Sequence, residues 1–519
     1  MKVQANSQMR VLSRWALVLL LSCCLAAGKQ SSAPPTAQLS PSGNAAGEAK
    51  IHTRTDLVLV PVVVRGKHGK HIPDLSKEAF RLEENGKEQA LTLFEEVQPR
   101  SDEAPAPSPD RGFSNLPFDS SQKLQLTVLV LDLLNTSPLQ RADGKDLLVK
   151  FLAKGLARNE PVSLLCITAK GLQLVHPFST DSAVLIDALN KVPPGAERIM
   201  PRRDAVASTL TQLTEIAQAY VGIPGRKSLI LAAGDLPDPQ SEPGIYTNAH
   251  SARDAFQEVW KTLAAANLSV YPVGLAIGAL DPSYTRQHLR ISSSQASLRG
   301  FAYATGGNLC LEANDLMDCL AEAVEDSRSY YMLGFAVQPD DRKPGWRDLK
   351  VKVSAEHARV RARDGFYYEE PAPPGPETAR HAEVEALASP LAISAVPMFV
   401  RVLPPAAKAN APSLLGAKKA VEFMLTIPLN SIKLDPSSAN PLDLEVGAIA
   451  ITKDPREVAE FLHPVHGNPN PELLRKLSRE GIQLREKLDL LPGSYEVRCM
   501  VRDNNTTLIG TVVFPVEIH

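Results

Sequence analysis

The apolar run Leu126-Thr127-Val128-Leu129-Val130-Leu131, broken off at Asp132, limits the fold more than any other stretch of the chain. It is continuous rather than alternating, and rich in β-branched residues. Such a run suits a strand buried on both faces, the usual state in a parallel sheet. Asn135, Thr136 and Ser137 follow at once, so oxygen-bearing side chains gather just past the carboxyl end of that strand. Open α/β sheets bind their ligands at such ends. A helix is expected from about Gln140 through Leu147, Leu148 and Phe151.

The pattern repeats downstream. Strands are expected at Val162–Thr168, Leu172–Phe178, Ser228–Ala232 and Ser269–Val273. Helices are expected at Gln140–Leu156, Ser182–Leu189, Asp204–Tyr220, His250–Ala265, Ser293–Ala304 and Asp315–Glu325. Ala169-Lys170-Gly171 joins two of the strands as a tight hairpin. The fold class is therefore α/β plus β. A doubly wound, mostly parallel sheet has one antiparallel edge strand and helices on both faces.

A chain of 519 residues holds more than one domain. Residues 1–28 read as a signal peptide: Lys2, Arg10 and Arg14 precede the apolar run Trp15–Leu21, and small residues follow it. Leu20-Leu21-Ser22-Cys23 also loosely resembles a bacterial lipobox, and in that reading a lipid on Cys23 would anchor the mature chain. Either reading exports the protein, to the periplasm, the outer-membrane surface or the medium. Residues 29–53 are Ser, Pro, Ala and Gln rich and read as a disordered linker. In 54–97, Leu57–Val64 is a strand, Ser76 is a candidate helix cap, and Asn85-Gly86 turns a hairpin. This β unit is too small to stand alone. Strands at Tyr330–Val337, Leu349–Val353 and Arg359–Ala362, within 329–368, are its expected partners. The α/β domain, 122–328, would then be inserted in a small β-sandwich; independent modules in series are the alternative. Proline-rich linkers occupy 98–121 and 369–379. Residues 380–519 read as a second β-sandwich. It has a helical turn at Ala382–Ala388 and strands at Pro397–Leu403, Val421–Leu429, Leu444–Thr452 and Gln483–Leu490. It closes on a hairpin from Pro492 to Val516, and 404–412 and 462–471 are low-complexity insertions.

The α/β stretch resembles the von Willebrand factor A-type domain. The resemblance rests on Leu126–Thr136, on Gly225-Arg226-Lys227-Ser228-Leu229-Ile230-Leu231 with Gly234-Asp235 after it, and on Ser269-Val270-Tyr271-Pro272-Val273-Gly274. Three further motifs extend it to the secreted, acidobacterial-type group of such proteins, over roughly residues 55–368. They are Ala302-Tyr303-Ala304-Thr305-Gly306-Gly307-Asn308, Tyr330–Phe335 and Val360–Tyr367. Leu-Pro-Gly-x-Tyr before the last hairpin resembles immunoglobulin-like sandwiches. The family implies ligand binding rather than turnover. It also implies a metal-ion-dependent adhesion site, in which an Asp-x-Ser-x-Ser loop, a Thr and a further Asp hold one Mg²⁺ or Mn²⁺ through hard oxygen ligands. In this chain Asp132 stands first, Leu134 replaces the first Ser, Thr136 stands third, Asn135 offers an oxygen one residue out of step, and Asp235 is the third-loop candidate. The second-loop ligand lies among Asp204, Ser208, Thr209 and Thr211. Structural roles compete for the same residues. Asp132 could form a turn or helix cap, Asn135 or Thr136 could cap the next helix, and Asp235 could be a turn residue ahead of Pro237.

The other residues narrow the function. A net charge of -2 lacks the basic footprint of a nucleic-acid binder. No nucleophile elbow, phosphate loop or Cys-x-x-Cys is found, so no catalytic or organic-cofactor residue is assigned. Thr305-Gly306-Gly307 reads as a helix end. His68 and His71 flank a turn, and His463 and His466 sit in a Pro/Gly/Asn stretch; solvated loops are expected there. Cys166 and Cys499 read as core residues. Cys310 and Cys319 are either a disulfide, which export permits, or two packed thiols. The expected function is that of an exported envelope protein binding a protein or matrix ligand, not an enzyme. A structural scaffold with a non-functional metal loop, or an accessory subunit of an envelope enzyme assembly, is the alternative.

Overall fold

The structure, a computed structural model, describes residues 56–98, 112–116, 125–154, 160–193, 200–234, 236–240, 242, 249–275, 285–311, 316–337, 343–368, 375–404, 418–452 and 458–518. Residues 1–28, Cys23 included, and Asp235 lie outside this set.

The described strands before the helical region are β1 (Asp56–Arg65), β2 (Phe80–Glu84), β3 (Lys87–Gln89), β4 (Leu91–Val97) and β5 (Phe113–Ser114). The central unit follows as β6 (Leu126–Asp132), α1 (Pro138–Lys154), β7 (Val162–Thr168), β8 (Gly171–Ser179), α2 (Ser182–Lys191), α3 (Arg202–Tyr220), β9 (Lys227–Ala233), α4 (Ala249–Ala265), β10 (Leu268–Gly274), α5 (Thr285–Thr305) and α6 (Leu316–Arg328). Its sheet has the order β10-β9-β6-β7-β8. The pairs β10/β9, β9/β6 and β6/β7 are parallel, and β7/β8 is antiparallel. Every residue of β6, β7, β9 and β10 is buried. The absence of alternation in these runs has its cause here, because both faces are covered. Val128, Val130, Leu229 and Leu231 pack with Leu213, Ile216, Phe256 and Phe301 of α3, α4 and α5. Leu129, Leu131, Ile230 and Tyr271 pack on the other face with Phe151, Leu185 and Leu320 of α1, α2 and α6. Cys310 forms an isolated parallel bridge to Val273 at the sheet edge, and a disulfide ties it to Cys319 on α6. Cys166 and Cys499 are free and buried.

After α6 come β11 (Tyr330–Val337), β12 (Gly345–Val353), β13 (Arg359–Arg361) and β14 (Gly365–Tyr368). They join the first strands in two sheets, β13-β1-β11-β4 and β14-β12-β2-β3. Val60, Val62, Tyr331, Leu333 and Phe335 from one sheet share a core with Leu82, Leu349, Phe366 and Tyr368 from the other. The chain therefore leaves this β unit after β4 and re-enters it at β11. Ser76 precedes a single 3₁₀ turn, Lys77–Ala79, and its side chain makes no capping bond to it. His71 lies against Glu96, 3.0 Å away, and stacks on Tyr331.

The carboxyl-terminal part holds α7 (Pro376–Ala388), β15 (Phe399–Val402), β16 (Lys419–Ile427), β17 (Leu442–Ile451), β18 (Val458–Gly467), α8 (Pro471–Glu480), β19 (Ile482–Leu490), β20 (Gly493–Asp503) and β21 (Ile509–Ile518). Its sheets are β19-β16-β15-β5 and β18-β17-β20-β21, with one core between them. Three departures from the sequence reading stand out. The expected loop with His463 and His466 is strand β18, where these side chains face Glu486 and Asp443 at 3.2 Å each. Pro464 breaks its pattern, and β18 tolerates it as an edge strand. Part of the supposed 462–471 insertion leads directly into α8, which Asn470 caps by accepting from Leu473 N at 2.8 Å, with Pro471 first inside. Third, the proline-rich connector contributes β5 to the carboxyl-terminal sheet, paired to β15.

Both β units attach at the amino ends of the central strands. Asp326, near the end of α6, accepts from Arg65 on β1, from Arg361 on β13 and from Tyr271 Oη. Arg226, just before β9, donates to Tyr271 Oη at 3.0 Å and to the Gly306 carbonyl at 2.7 Å. The carboxyl-terminal unit holds the end of α3, where Ser394 Oγ donates to Ala219 O and accepts from Gly222 N. Asn115, next to β5, is held within the carboxyl-terminal unit: its amide donates to Ile393 O and Val396 O, and its carbonyl accepts from Met398 N.

Candidate functional site

The opposite, carboxyl end of the sheet carries the predicted cluster. Asp132 ends β6 and is fully buried. Its Oδ1 accepts from the backbone N–H of Leu134 at 2.8 Å and of Asn135 at 3.1 Å, so the carboxylate folds its own loop into a turn. Its Oδ2 accepts from Asn135 Nδ2 at 2.7 Å and from Thr209 Oγ1 at 3.2 Å. Asn135 Nδ2 also donates to Thr209 Oγ1 at 2.8 Å, which closes a triangle of side chains. The amide must present its nitrogen, because a carboxylate oxygen can only accept. Burial raises the Asp132 carboxyl above the ordinary carboxylate range, and the bonds from Asn135, Leu134 and Thr209 pull the other way.

Thr136 points back into its own loop. Its hydroxyl donates to Asp132 O at 2.6 Å and accepts from Arg141 Nε at 3.4 Å. Arg141 also donates to Leu133 O at 2.6 Å. The helix cap falls at Ser137, one residue after Thr136 and two after Asn135. Ser137 Oγ accepts from Gln140 N, and Gln140 Oε1 accepts from Ser137 N, a reciprocal box with Pro138 at the first helical position. The end of β9 closes on this loop: a Cβ on Gly234 would lie 2.6 Å from Asn135 O.

Of the second-loop candidates, Thr209 reaches Asp132. Thr211 instead donates to Ala207 O, Ser208 accepts from Gln212, and Asp204 lies beside Arg203. Nothing in the sequence separates Thr209 from its neighbours, since position on a buried helix face decides the contact. Arg141 was not anticipated either; only its place one helical turn past the loop hints at it.

These donors do not fit a divalent cation. A hard cation takes converging oxygens with open lone pairs. Both Asp132 oxygens already accept N–H or O–H bonds, Thr136 donates to a carbonyl, and Leu134 supplies no ligand. A neutral amide nitrogen sits between Asp132 and Thr209, where the family pattern would put the ion. Among the described residues no cluster of three His, Cys, Asp or Glu side chains is arranged to hold a metal.

No family model and no curated protein matches the chain. Solved structures similar to it include VWA domains. An aerotolerance-related membrane protein from Bacteroides fragilis NCTC 9343 is 12% identical, with a TM-score of 0.25 over 39% of this chain and 98% of that one. The Rpn10 VWA domain is 13% identical, with a TM-score of 0.23 over 38% of this chain and 94% of that one. Proximal thread matrix protein 1 from the mussel byssus is 13% identical, with a TM-score of 0.25; the match covers 39% of this chain and 48% of that one.

Proposed function

We propose that this is an exported protein-binding protein. In this reading a doubly wound A-type domain is carried on a small β-sandwich and an immunoglobulin-like sandwich, and it holds a protein or matrix ligand at the carboxyl-end rim of its sheet without a metal ion. One observation carries the reading: both β units are fastened to the amino ends of the central strands, so among the described residues neither unit is anchored at the opposite rim. Such rims are where open α/β sheets take ligands. Leu139, beside the Asp132 loop, is 70% exposed there. The closed Asp132–Asn135–Thr209 triangle supports binding without a cation, since both Asp132 carboxylate oxygens already accept from two donors each. Export is supported by the signal-like residues 1–28 and by the Cys310–Cys319 disulfide, since disulfides persist in oxidising compartments.

Helix α1 supplies an internal control, because Leu139 lies at its rim end and Lys154, also exposed, at its other end. A photo-crosslinking residue at either position, in the cells that make the protein, tests the reading. A discrete adduct from position 139, absent from 154 and unchanged by chelator, is expected. Equal adducts at both positions would remove the rim from the account. Loss of the adduct in chelator, restored by Mn²⁺, would overturn the metal-free mechanism.

A further inference from the structure

A second candidate site lies at the amino end of the sheet, far from Asp132. β1, α4, β14 and the turn between β20 and β21 enclose a cleft of about 630 Å³. Its wall carries an aromatic platform. Trp346 and Tyr367 are direct cross-strand partners on β12 and β14, so their rings stand side by side on one face. Each is 38% exposed. Trp346 is set in place on two sides. Its Nε1 donates to Asp348 Oδ1 at 2.8 Å, and a Cβ on Gly365 would overlap its ring, so only glycine lets the indole lie flat on that backbone. Trp260 lines the facing wall.

Among the described residues, the charged groups that line the cleft are Lys261 and Arg363. The Glu258 and Asp348 carboxylates stand beside it, against Lys261 and Trp346. Lys261 Nζ sits 5.5 Å above the Tyr367 ring and also meets Glu258 at 3.2 Å. The Arg363 guanidinium donates to Leu59 O at 2.8 Å, and its Nε has no acceptor among the described residues. The indole N–H of Trp260 has none either. Burial alone moves Arg363, down to about 10. Thr507, at the cleft edge, holds a left-handed backbone with φ 67°, rare for a β-branched residue.

We propose that this cleft binds an acidic glycan, a chain of pyranose rings bearing carboxylates. A pyranose offers a flat face of C–H groups to the electron-rich faces of Trp346 and Tyr367. Its ring carboxylate meets the guanidinium of Arg363, which among the described residues donates to the Leu59 carbonyl, and its hydroxyls accept from Lys261. Convergent aromatic walls with few fixed polar groups are the general form of a small-ligand site. The site is independent of the rim, so it stands or falls separately from the proposal above.

The chain has 3 tryptophans, Trp15, Trp260 and Trp346, and the last two line this cleft, so intrinsic fluorescence reports on it directly. The full chain is titrated with hexagalacturonate, with maltohexaose, and with an acidic proline-rich peptide. Saturable quenching by hexagalacturonate is expected, at least about tenfold tighter than by maltohexaose. Tyr367→Ala should weaken it about tenfold while leaving the far-ultraviolet spectrum unchanged. Lys261→Gln should weaken it less and reduce its salt dependence. Equal affinity for the acidic and neutral sugars, insensitivity to Tyr367→Ala, or saturation by the peptide and not the sugar would each overturn the proposal.

Discussion

Asp132 and Asp326 are both fully buried, one at each end of the same sheet, and the chain satisfies them in opposite ways. At the amino end Asp326 meets the guanidinium groups of Arg65 and Arg361 and the Tyr271 hydroxyl, each from a different strand. A charged, long-range network of this kind joins two folding units and fixes their register. At the carboxyl end Asp132 is met by neutral donors, most from its own loop and one from α3. The contrast separates two uses of a buried carboxylate. One fastens domains together with charge; the other shapes a loop through neutral donors, and burial raises its pKa.

The largest effect should come from the charged end. Asp326→Asn leaves Arg65 and Arg361 facing a neutral group, and a loss of about 3–5 kcal/mol is expected from breaking a buried pair on one side. Urea denaturation measures it. A loss no larger than that of an exposed pair would erase the distinction between the two ends.

Glu160, buried just before β7 and bonded by Thr127 Oγ1 at 3.0 Å, sharpens the comparison at the amino end. Burial pushes it from 4.5 up to about 8. Its folded form therefore holds a proton that the unfolded chain has released. The stability this gives is full below pH 4.5 and is lost as pH rises towards 8. Glu160→Gln should remove a slope of about 1.4 kcal/mol per pH unit across that window, read from denaturant midpoints at a series of pH values. An unchanged slope would mean that Glu160 is already ionised in the folded protein.

A smaller effect is expected at the rim. Asn135→Ala takes the amide from both Asp132 and Thr209, and a loss of about 1–3 kcal/mol is expected for buried acceptors left short of a donor. Compensation by added Mg²⁺ would show that a cation can take the amide's place; no compensation is expected, because Leu134 and Thr136 still supply no open oxygen.

Much of the central unit could be read from residue pattern. The uninterrupted apolar runs of β6, β7, β9 and β10 mark strands covered on both faces, and Asp132 stands where the run meets the rim. What the pattern hid depends on tertiary partners. β5 is a two-residue strand that exists because Asn115 pins its neighbours to 393–398. β18 runs through Pro464 without a break in register, which its place at the sheet edge permits. The helix signals Asn470, Pro471 and Gly481 were present in the sequence, but the surrounding Pro, Gly and Asn made the stretch resemble a loop. At the site, Asp132, Asn135 and Thr136 do come together, with Asn135 and Thr136 acting on Asp132 rather than beside it as ligands. Hydrogen-bond direction decides that outcome, and no residue count reveals it.

The most direct test of a rim closed by its own amide is calorimetric titration of Mn²⁺ into the full chain, beside the Asn135→Asp variant. The wild type should give no saturable heat, and its melting temperature should be the same in Mn²⁺ and in chelator. The variant, with a second carboxylate against Asp132, should be less stable in chelator and regain stability with Mn²⁺. Stoichiometric Mn²⁺ binding by the wild type, lost in Asp132→Ala, would contradict the account.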